Sequence, residues 1–331
     1  MRFGLTESGV RDILKIYLFH ELQSTGRVPQ VAAHWAGVFT ALTTKFDDGG
    51  NLDLRSMEAH IGRQIAAGVH GIIVLGSLGE NGALNPSEKQ EIVRMAASAC
   101  RGKVPLVACV AETTTAAGRD FVKKGMASGA DGFMLLPPMQ YVSDERETEQ
   151  YLRSVAAASD RPVMLYNNPV SYRIDITPPM FARLADEPKF VAIKESSDDV
   201  RRISDIRSLV GDRYALFTGV DDIAMESLIL GAAGWVAGLV CAFPRETVAL
   251  YRLVRSGRIE EALSLYRWFM PLLHLDVSTK FVQNIKLAEA KADGGNERVR
   301  SPRLPLAGEE RARVERTIDR ALAARPALSG A

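Results

Sequence analysis

Residues 162–193 of this chain carry the sequence PVMLYNNPVSYRIDITPPMFARLADEPKFVAI. Two short apolar runs, Pro162–Tyr166 and Phe190–Ile193, enclose a segment in which Thr177-Pro178 marks the start of a helix. Continuous apolar strands that alternate with helices are typical of parallel sheets buried on both faces. This stretch therefore predicts one strand–helix–strand unit.

The same unit recurs along the chain from Trp35 onward. A second helix start, Asn85-Pro86-Ser87-Glu88, combines an N-cap residue, a proline at the first helical position and a glutamate that completes a capping box. Eight strand–helix units within roughly 250 residues predict a closed (β/α)8 barrel, the TIM barrel. A doubly wound sheet is the alternative, but it would more often carry a G-x-G-x-x-G turn where this chain has Thr43-Thr44-Lys45-Phe46. The predicted strands are Val38–Leu42, Gly71–Leu75, Pro105–Val110, Gly132–Leu136, Pro162–Tyr166, Phe190–Ile193, Ala215–Phe217 and Gly234–Val240.

This pattern divides the chain into three segments. Residues 35–257 form the predicted barrel, and residues 258–331 form an additional C-terminal helical segment. Residues 1–34 form an N-terminal extension that shares no period with the rest, although Glu7–Leu22 has the spacing of a mildly amphipathic helix. The extension is either an arm appended to the barrel or a segment that arises when translation begins at an upstream start codon. The helices predicted after the last strand are Pro244–Arg255, Ile259–Leu273, Ser278–Lys291 and Gly308–Ala324.

The composition is that of an ordinary globular protein. Lys plus Arg number 41 and Asp plus Glu number 40, and the net charge of +1 gives no electrostatic reason to expect a nucleic acid or a membrane surface as partner. No apolar run approaches the roughly 20 residues that span a bilayer. Three unclustered cysteines, Cys100, Cys109 and Cys241, and the lack of a signal-peptide pattern predict a cytoplasmic protein without a disulfide framework.

Catalytic residues of such a barrel lie at the carboxyl ends of its strands. Lys194 follows Phe190–Ile193, and a lysine in a barrel mouth loses hydration, which lowers its pKa and leaves a neutral amine that can attack a carbonyl carbon. Tyr166 ends the preceding strand, where a phenol can relay protons. The Gly76-Ser77-Leu78-Gly79 turn offers backbone N–H groups to a substrate carboxylate. Taken singly, these features could be a surface lysine, a core tyrosine and an ordinary turn. The functional prediction therefore depends on the occurrence of all three at strand ends.

A metal site has little support in the sequence. None of the five histidines, His20, His34, His60, His70 and His274, lies at a predicted carboxyl strand end or has a partner at i,i+4 spacing. Asp221-Asp222 could bind a cation, but acidic pairs at helix starts are common, and Ser197-Asp198-Asp199 is predicted to begin a helix in the same way. We therefore expect neither a metal nor a separate cofactor.

Three strand-end motifs, Gly76-Ser77-Leu78-Gly79-Glu80, Tyr166-Asn167-Asn168-Pro169 and Ile193-Lys194-Glu195, resemble those of the dihydrodipicolinate synthase/N-acetylneuraminate lyase family. The similarity covers about residues 37–292, with the motifs in the family's order. The resemblance implies a class I enzyme in which Lys194 forms an imine with a 2-oxo-acid-like substrate while Tyr166 and Ser77 relay protons. It also implies a homodimer or homotetramer. The residues that it places around the substrate are Leu78, Asn168, Gly219 and Val236.

The departures from the synthase concern the substrate. The synthase has two adjacent threonines after its second strand, a tyrosine after its fourth and an arginine after its Tyr-Asn motif, whereas this chain has Ser77-Leu78, Met139 and Ser171. Segments 167–172 and 234–239 resemble most those of a subgroup of 1-pyrroline-4-hydroxy-2-carboxylate deaminases. The predicted activity is therefore that of this deaminase. The alternatives are a 4-hydroxy-tetrahydrodipicolinate synthase-like enzyme, an aldolase or dehydratase of 2-keto-3-deoxy sugar acids, a non-catalytic 2-oxo-acid sensor and a metal-dependent barrel enzyme.

Overall fold

The strand–helix alternation of the sequence closes into a barrel. A computed structural model describes residues 35–328, and the strands within them are β1 (Gly37–Ala41), β2 (Gly71–Val74), β3 (Leu106–Val110), β4 (Gly132–Leu135), β5 (Val163–Asn167), β6 (Phe190–Glu195), β7 (Ala215–Thr218) and β8 (Gly234–Ala237). All eight are parallel and pair in chain order, and β8 returns to β1. The predicted TIM barrel with additional C-terminal helices is confirmed. The predicted N-terminal extension and its helix over residues 7–22 lie outside the described residues.

The helices of residues 35–328 surround the barrel and continue beyond it. They are α1 (Leu54–Ala66), α2 (Pro86–Cys100), α3 (Thr115–Ala127), α4 (Glu145–Ala156), α5 (Pro169–Tyr172), α6 (Pro178–Leu184), α7 (Arg201–Val210), α8 (Ala224–Ile229), α9 (Pro244–Arg255), α10 (Ile259–Leu273), α11 (Phe281–Ala292) and α12 (Gly308–Ala323). Those of the C-terminal segment agree with the predicted ones to within a few residues. Over the described range, none is both long enough and apolar enough to pass through a bilayer.

Two local predictions differ from the structure. Strand β8 ends at Ala237 rather than at Val240, because Leu239–Cys241 form a short 3-10 turn. Helix α7 begins at Arg201 without a side-chain cap, and Asp199 instead accepts hydrogen bonds from the backbone N–H and the guanidinium of Arg201, at 3.1 and 2.7 Å. The capping box predicted at Asn85 is present.

Aromatic side chains fill part of the barrel interior. The rings of Phe39 and Phe217 lie 5.1 Å apart, and a Cβ atom at Gly234 would come within 2.2 Å of the Phe217 ring. Glycine at that position therefore makes room for the aromatic layer. Lys194 of β6 is in register with Phe217 of β7, and residues in register on parallel strands point to the same face of a sheet. The Lys194 side chain therefore enters the barrel.

Two buried ion pairs connect α11 to the barrel. Lys286 contacts Glu80, which follows β2, and Glu289 contacts Lys45, which follows β1. Each of the four side chains is at most 2% exposed. Because an unpaired buried charge is strongly unfavourable, these contacts hold α11 beside the carboxyl ends of the first two strands.

Candidate active site

Lys194 occupies the centre of the predicted site. It lies within β6, which continues to Glu195, so the strand itself directs the side chain into the barrel. Its Nζ atom is 4.1 Å from the centre of the Tyr166 ring. A Cβ atom at Gly219 would lie 2.1 Å from Ser196 Oγ and 2.4 Å from Lys194 Cε, so glycine at this end of β7 leaves room for both side chains. Only 7% of Lys194 is exposed, which excludes the interpretation as a surface lysine.

The surroundings of Lys194 favour a reactive amine. Burial lowers the pKa of Lys194 from the ordinary value of 10.5, because the ammonium ion loses its hydration. The acidic groups of Tyr172 and Asp276 act in the opposite direction and only partly offset the effect of burial on the pKa of Lys194. A lysine with a lowered pKa carries more of the neutral form that attacks carbonyl carbons.

Tyr166 lies beside Lys194 in the register of the sheet, and it is also buried. Burial raises the pKa of Tyr166 to about 12, while hydrogen bonding by Asn168 and Tyr172 acts the other way. The phenol therefore carries a proton in the resting site. Asn168 donates to the Tyr166 hydroxyl at 3.1 Å and accepts from the Ser171 N–H at 2.9 Å. Asn168 therefore holds Tyr166 and the first turn of α5 together, and its predicted contact with substrate stays a prediction.

The turn after β2 has the geometry of an anion seat. Leu75 has a φ of +65°, in the left-handed region that residues with side chains rarely adopt, and its carbonyl accepts a hydrogen bond from Asn81 Nδ2 at 2.9 Å. Within residues 35–328, the backbone N–H groups of Ser77 and Leu78 donate to no backbone carbonyl. Two neighbouring N–H groups without acceptors suit a carboxylate.

The hydroxyl of Ser77 has a partner that the sequence did not indicate. It is hydrogen-bonded to the hydroxyl of Tyr172 and not to that of Tyr166. The Tyr172 ring meets the Tyr166 ring edge-on, with 5.8 Å between the ring centres. Sequence reasoning missed Tyr172 because it examined strand ends, whereas Tyr172 ends the short helix α5. The available signal was the Asn168-Pro169 pair, which starts that helix.

Asp221 serves the structure of the β8 end. It begins a 3-10 turn, as a residue at a helix start would, but its carboxylate accepts hydrogen bonds from the Trp235 indole and from the Leu239 N–H, both at 2.8 Å. Burial raises the pKa of Asp221 to about 6, and these hydrogen bonds act in the opposite direction. Val236, predicted to line the pocket, is buried in β8 in register with Phe39.

Asp276 is a second acidic residue that sequence reasoning missed. A Cβ atom at Gly238 would lie 2.3 Å from its Oδ1 atom, so its carboxylate lies against the carboxyl end of β8. Burial and the charge of Asp221 raise its pKa, whereas the charge of Lys194 lowers it. Asp276 lies between α10 and α11, outside the barrel repeat, so the strand-end search could not find it.

A separate buried cluster could in principle hold a metal. Ligand atoms of His60, Cys241 and Glu289 lie within 4.8 Å of one another. The Glu289 carboxylate, however, is already bound by the Lys45 ammonium and by the Thr43 hydroxyl, the latter at 2.6 Å. Burial raises the pKa of the Cys241 thiol to about 12, which disfavours the thiolate that a metal would bind. The donor set fits an internal ion pair better than a metal centre.

Most of the chain is similar to proteins of one known family. Residues 34–321 match the model of the dihydrodipicolinate synthetase family. The chain is 32% identical over 239 residues to the 4-hydroxy-tetrahydrodipicolinate synthase of Methanospirillum hungatei, covering 71% of this chain and 82% of that protein. It is 29% identical over 294 residues to the synthase of Sorangium cellulosum, covering 88% and 98%.

The solved structures agree with the sequence relatives. The structure of 4-hydroxy-tetrahydrodipicolinate synthase from Methylacidiphilum fumariolicum superposes with a TM-score of 0.83 at 27% identity. The match covers 87% of this chain and 96% of that chain. The chain therefore belongs to the dihydrodipicolinate synthetase family and is an enzyme of its class I, lysine-imine lyase type.

Proposed function

We propose that Lys194 forms an imine with the carbonyl carbon of a small 2-oxo acid. The observation that carries this proposal is the buried amine of Lys194 inside the barrel, 4.1 Å from the centre of the Tyr166 ring. The free N–H groups of Ser77 and Leu78 would hold the carboxylate of the substrate. Family membership supports the same chemistry.

Tyr166 acts first as the acid and then as the base in this reaction, so it ends in the same protonation state in which it began. The amine adds to the carbonyl, the resulting hydroxyl takes the Tyr166 proton and leaves as water, and a cationic imine and a phenolate remain. The phenolate then removes a proton from the carbon beside the imine, which gives a neutral enamine and restores the phenol. Opposite charges formed side by side stabilise each other, and a positioned acid–base group contributes about 10²–10⁴-fold to the rate.

The first candidate reaction is that of a 4-hydroxy-tetrahydrodipicolinate synthase-like enzyme. The curated relatives carry that name, so the comparisons favour this alternative over the deaminase predicted from the sequence. In such a reaction the enamine carbon bound to Lys194 attacks a second, electrophilic substrate.

The second candidate is the 1-pyrroline-4-hydroxy-2-carboxylate deaminase. It is favoured by the carboxylate of Asp221, whose charge acts on Lys194 and disfavours a second anionic substrate. Position 171 is a serine and supplies no compensating positive charge. Lys194 would replace the ring nitrogen at the C=N carbon, the 4-hydroxyl would leave as water after proton removal, and hydrolysis would release ammonia and 2-oxoglutarate semialdehyde. One water is consumed overall.

Copies of the chain associate, in our proposal, as a homodimer or homotetramer. The resemblance in sequence implies this assembly. Tyr141 and Val142, large side chains in the loop after β4, are more than half exposed and would be covered by such a contact. In the homodimer as in the homotetramer, the proposed substrate is a small molecule.

Incubation with pyruvate and cyanoborohydride is expected to modify Lys194. The tryptic peptide should gain the mass of pyruvate less one oxygen atom, because the imine loses water and is then reduced. Product assays separate the candidates: ammonia from the hydroxypyrroline indicates the deaminase, pyruvate from neuraminate or deoxy-sugar acids indicates an aldolase, and consumption of pyruvate with an aldehyde indicates the synthase. Absence of any adduct would contradict the proposal, and an adduct or bound ligand without any product would indicate a sensor.

The rate of adduct formation is expected to rise with pH. Because burial lowers the pKa of Lys194 below 10.5, the amine loses its proton at a lower pH than an ordinary lysine does, and only the neutral amine attacks. Adduct yield at short times, measured by mass spectrometry from neutral to alkaline pH, should therefore reach its midpoint below 10.5. A midpoint at or above that value would show that the burial of Lys194 does not activate it.

A further inference from the structure

The loop after β5 carries a second phenol into the barrel mouth. Asn168 caps helix α5 through the Ser171 N–H, and Arg173, with a φ of +61°, ends it. The chain is then anchored by the Ile176 N–H, which donates to the Asn167 side chain at 2.8 Å. These contacts turn the last residue of α5, Tyr172, back over the site.

Three hydroxyl groups and the amine of Lys194 share this space. The Tyr172 hydroxyl is bonded to the Ser77 hydroxyl, and its ring lies edge-on against the Tyr166 ring. After burial, the electrostatic influence of Tyr172 is the largest on the pKa of Lys194, which it raises, and hydrogen bonding by Tyr172 lowers the pKa of Tyr166. The Tyr172 phenol is thus close to both groups that exchange protons in the proposed reaction.

We propose that Tyr172 is a positioning residue that joins Ser77 to Tyr166 in a proton relay supplied entirely by one chain. This inference rests on the proposed imine at Lys194. When water leaves, Tyr166 becomes a phenolate, and a hydrogen bond donated by the Tyr172 hydroxyl stabilises that charge. Ser77 donates in turn to the Tyr172 oxygen, so the negative charge left on Tyr166 is shared along the hydrogen-bonded chain of three hydroxyls. When Tyr166 recovers a proton from carbon, the three hydroxyls return to their resting state.

Tyr172→Phe tests this relay apart from imine formation. Cyanoborohydride trapping of pyruvate on Lys194 should persist in the variant, because the amine and the N–H groups of the turn are unchanged. Exchange of the pyruvate methyl hydrogens for deuterium, followed by NMR, reports proton removal by Tyr166. We expect this exchange to slow by about 10- to 100-fold, within the range of positioned acid–base groups.

Two further variants control the experiment. Ser77→Ala should slow exchange in the same way, and the double variant should be less impaired than the product of the two single effects, because both act through one hydrogen-bonded chain. Tyr214→Phe is the matched control: that buried phenol donates to the Phe181 carbonyl at 2.8 Å, outside the site, and its loss should leave exchange unchanged.

Each outcome is decisive. Two results would overturn the relay while leaving the Lys194 imine intact. One is methyl-hydrogen exchange at the wild-type rate in a folded Tyr172→Phe variant, and the other is independent effects of Ser77→Ala and Tyr172→Phe on that rate. If Tyr172→Phe does not fold, wild-type exchange in Ser77→Ala overturns the relay and slowed exchange supports it. A wild-type enzyme that forms no adduct with any candidate 2-oxo acid would overturn both the proposed function and this inference.

Discussion

Replacement of Lys194 by methionine is expected to abolish turnover and the trapped pyruvate adduct together. Methionine fills a similar volume, but without an amine there is no imine, no electron sink and no acidified carbon beside it. Loss of a covalent nucleophile removes most of an enzyme's rate enhancement, so we expect activity to fall by about 10⁴-fold or more. Stability should be unchanged or higher, because the variant no longer buries an amine that is only 7% exposed.

Lys189→Met is the control for this experiment. Lys189 precedes the same strand, but its ammonium donates to the Ala156 carbonyl at 3.3 Å, away from Tyr166. The Lys189→Met variant should therefore still form the pyruvate adduct and keep full turnover. Substantial turnover in folded Lys194→Met, or an unchanged adduct on another lysine, would show that the imine is formed elsewhere.

Replacement of Lys286 by methionine is expected to have the largest effect on stability. The Lys286 ammonium contacts the Glu80 carboxylate and donates to the Arg298 carbonyl at 2.6 Å, with both charged side chains fully buried. Removing the ammonium leaves a fully buried carboxylate whose remaining partners are the Arg300 N–H at 3.0 Å and the more distant Arg303 guanidinium at 3.9 Å. Breaking one side of a buried pair costs about 3–5 kcal/mol of unfolding free energy, measurable by urea denaturation.

A surface pair provides the reference value. Lys124 and Asp120 form an i,i+4 ion pair at 2.7 Å with side chains more than half exposed, so Lys124→Met should cost only about 0–1 kcal/mol. The double variant Glu80→Gln/Lys286→Met should lose less than the sum of its single variants, because it removes both charges of the pair, whereas each single variant leaves one of them without its partner. A loss in Lys286→Met no greater than in Lys124→Met would contradict the importance assigned to the buried pair.

The strand-end residues of the site could be predicted because the barrel repeat is local. An apolar run of a few residues defines each strand, and parallel strands bring their carboxyl ends to one rim. Lys194 and Tyr166 follow from that rule, and the structure places them in register. The hydrogen-bond partner of Ser77 did not follow from it, since Ser77 and Tyr172 lie 95 positions apart.

The barrel, its order of strands and the amine in its mouth follow from local sequence patterns, because hydrophobic periodicity is set by neighbouring residues. The groups that surround that amine depend on how the whole chain packs. Tyr172 comes from a loop, Asp276 from the C-terminal segment, and Lys286 reaches Glu80 across 206 positions. A buried polar group takes its partner from whatever the packing brings near, and no local pattern records that choice.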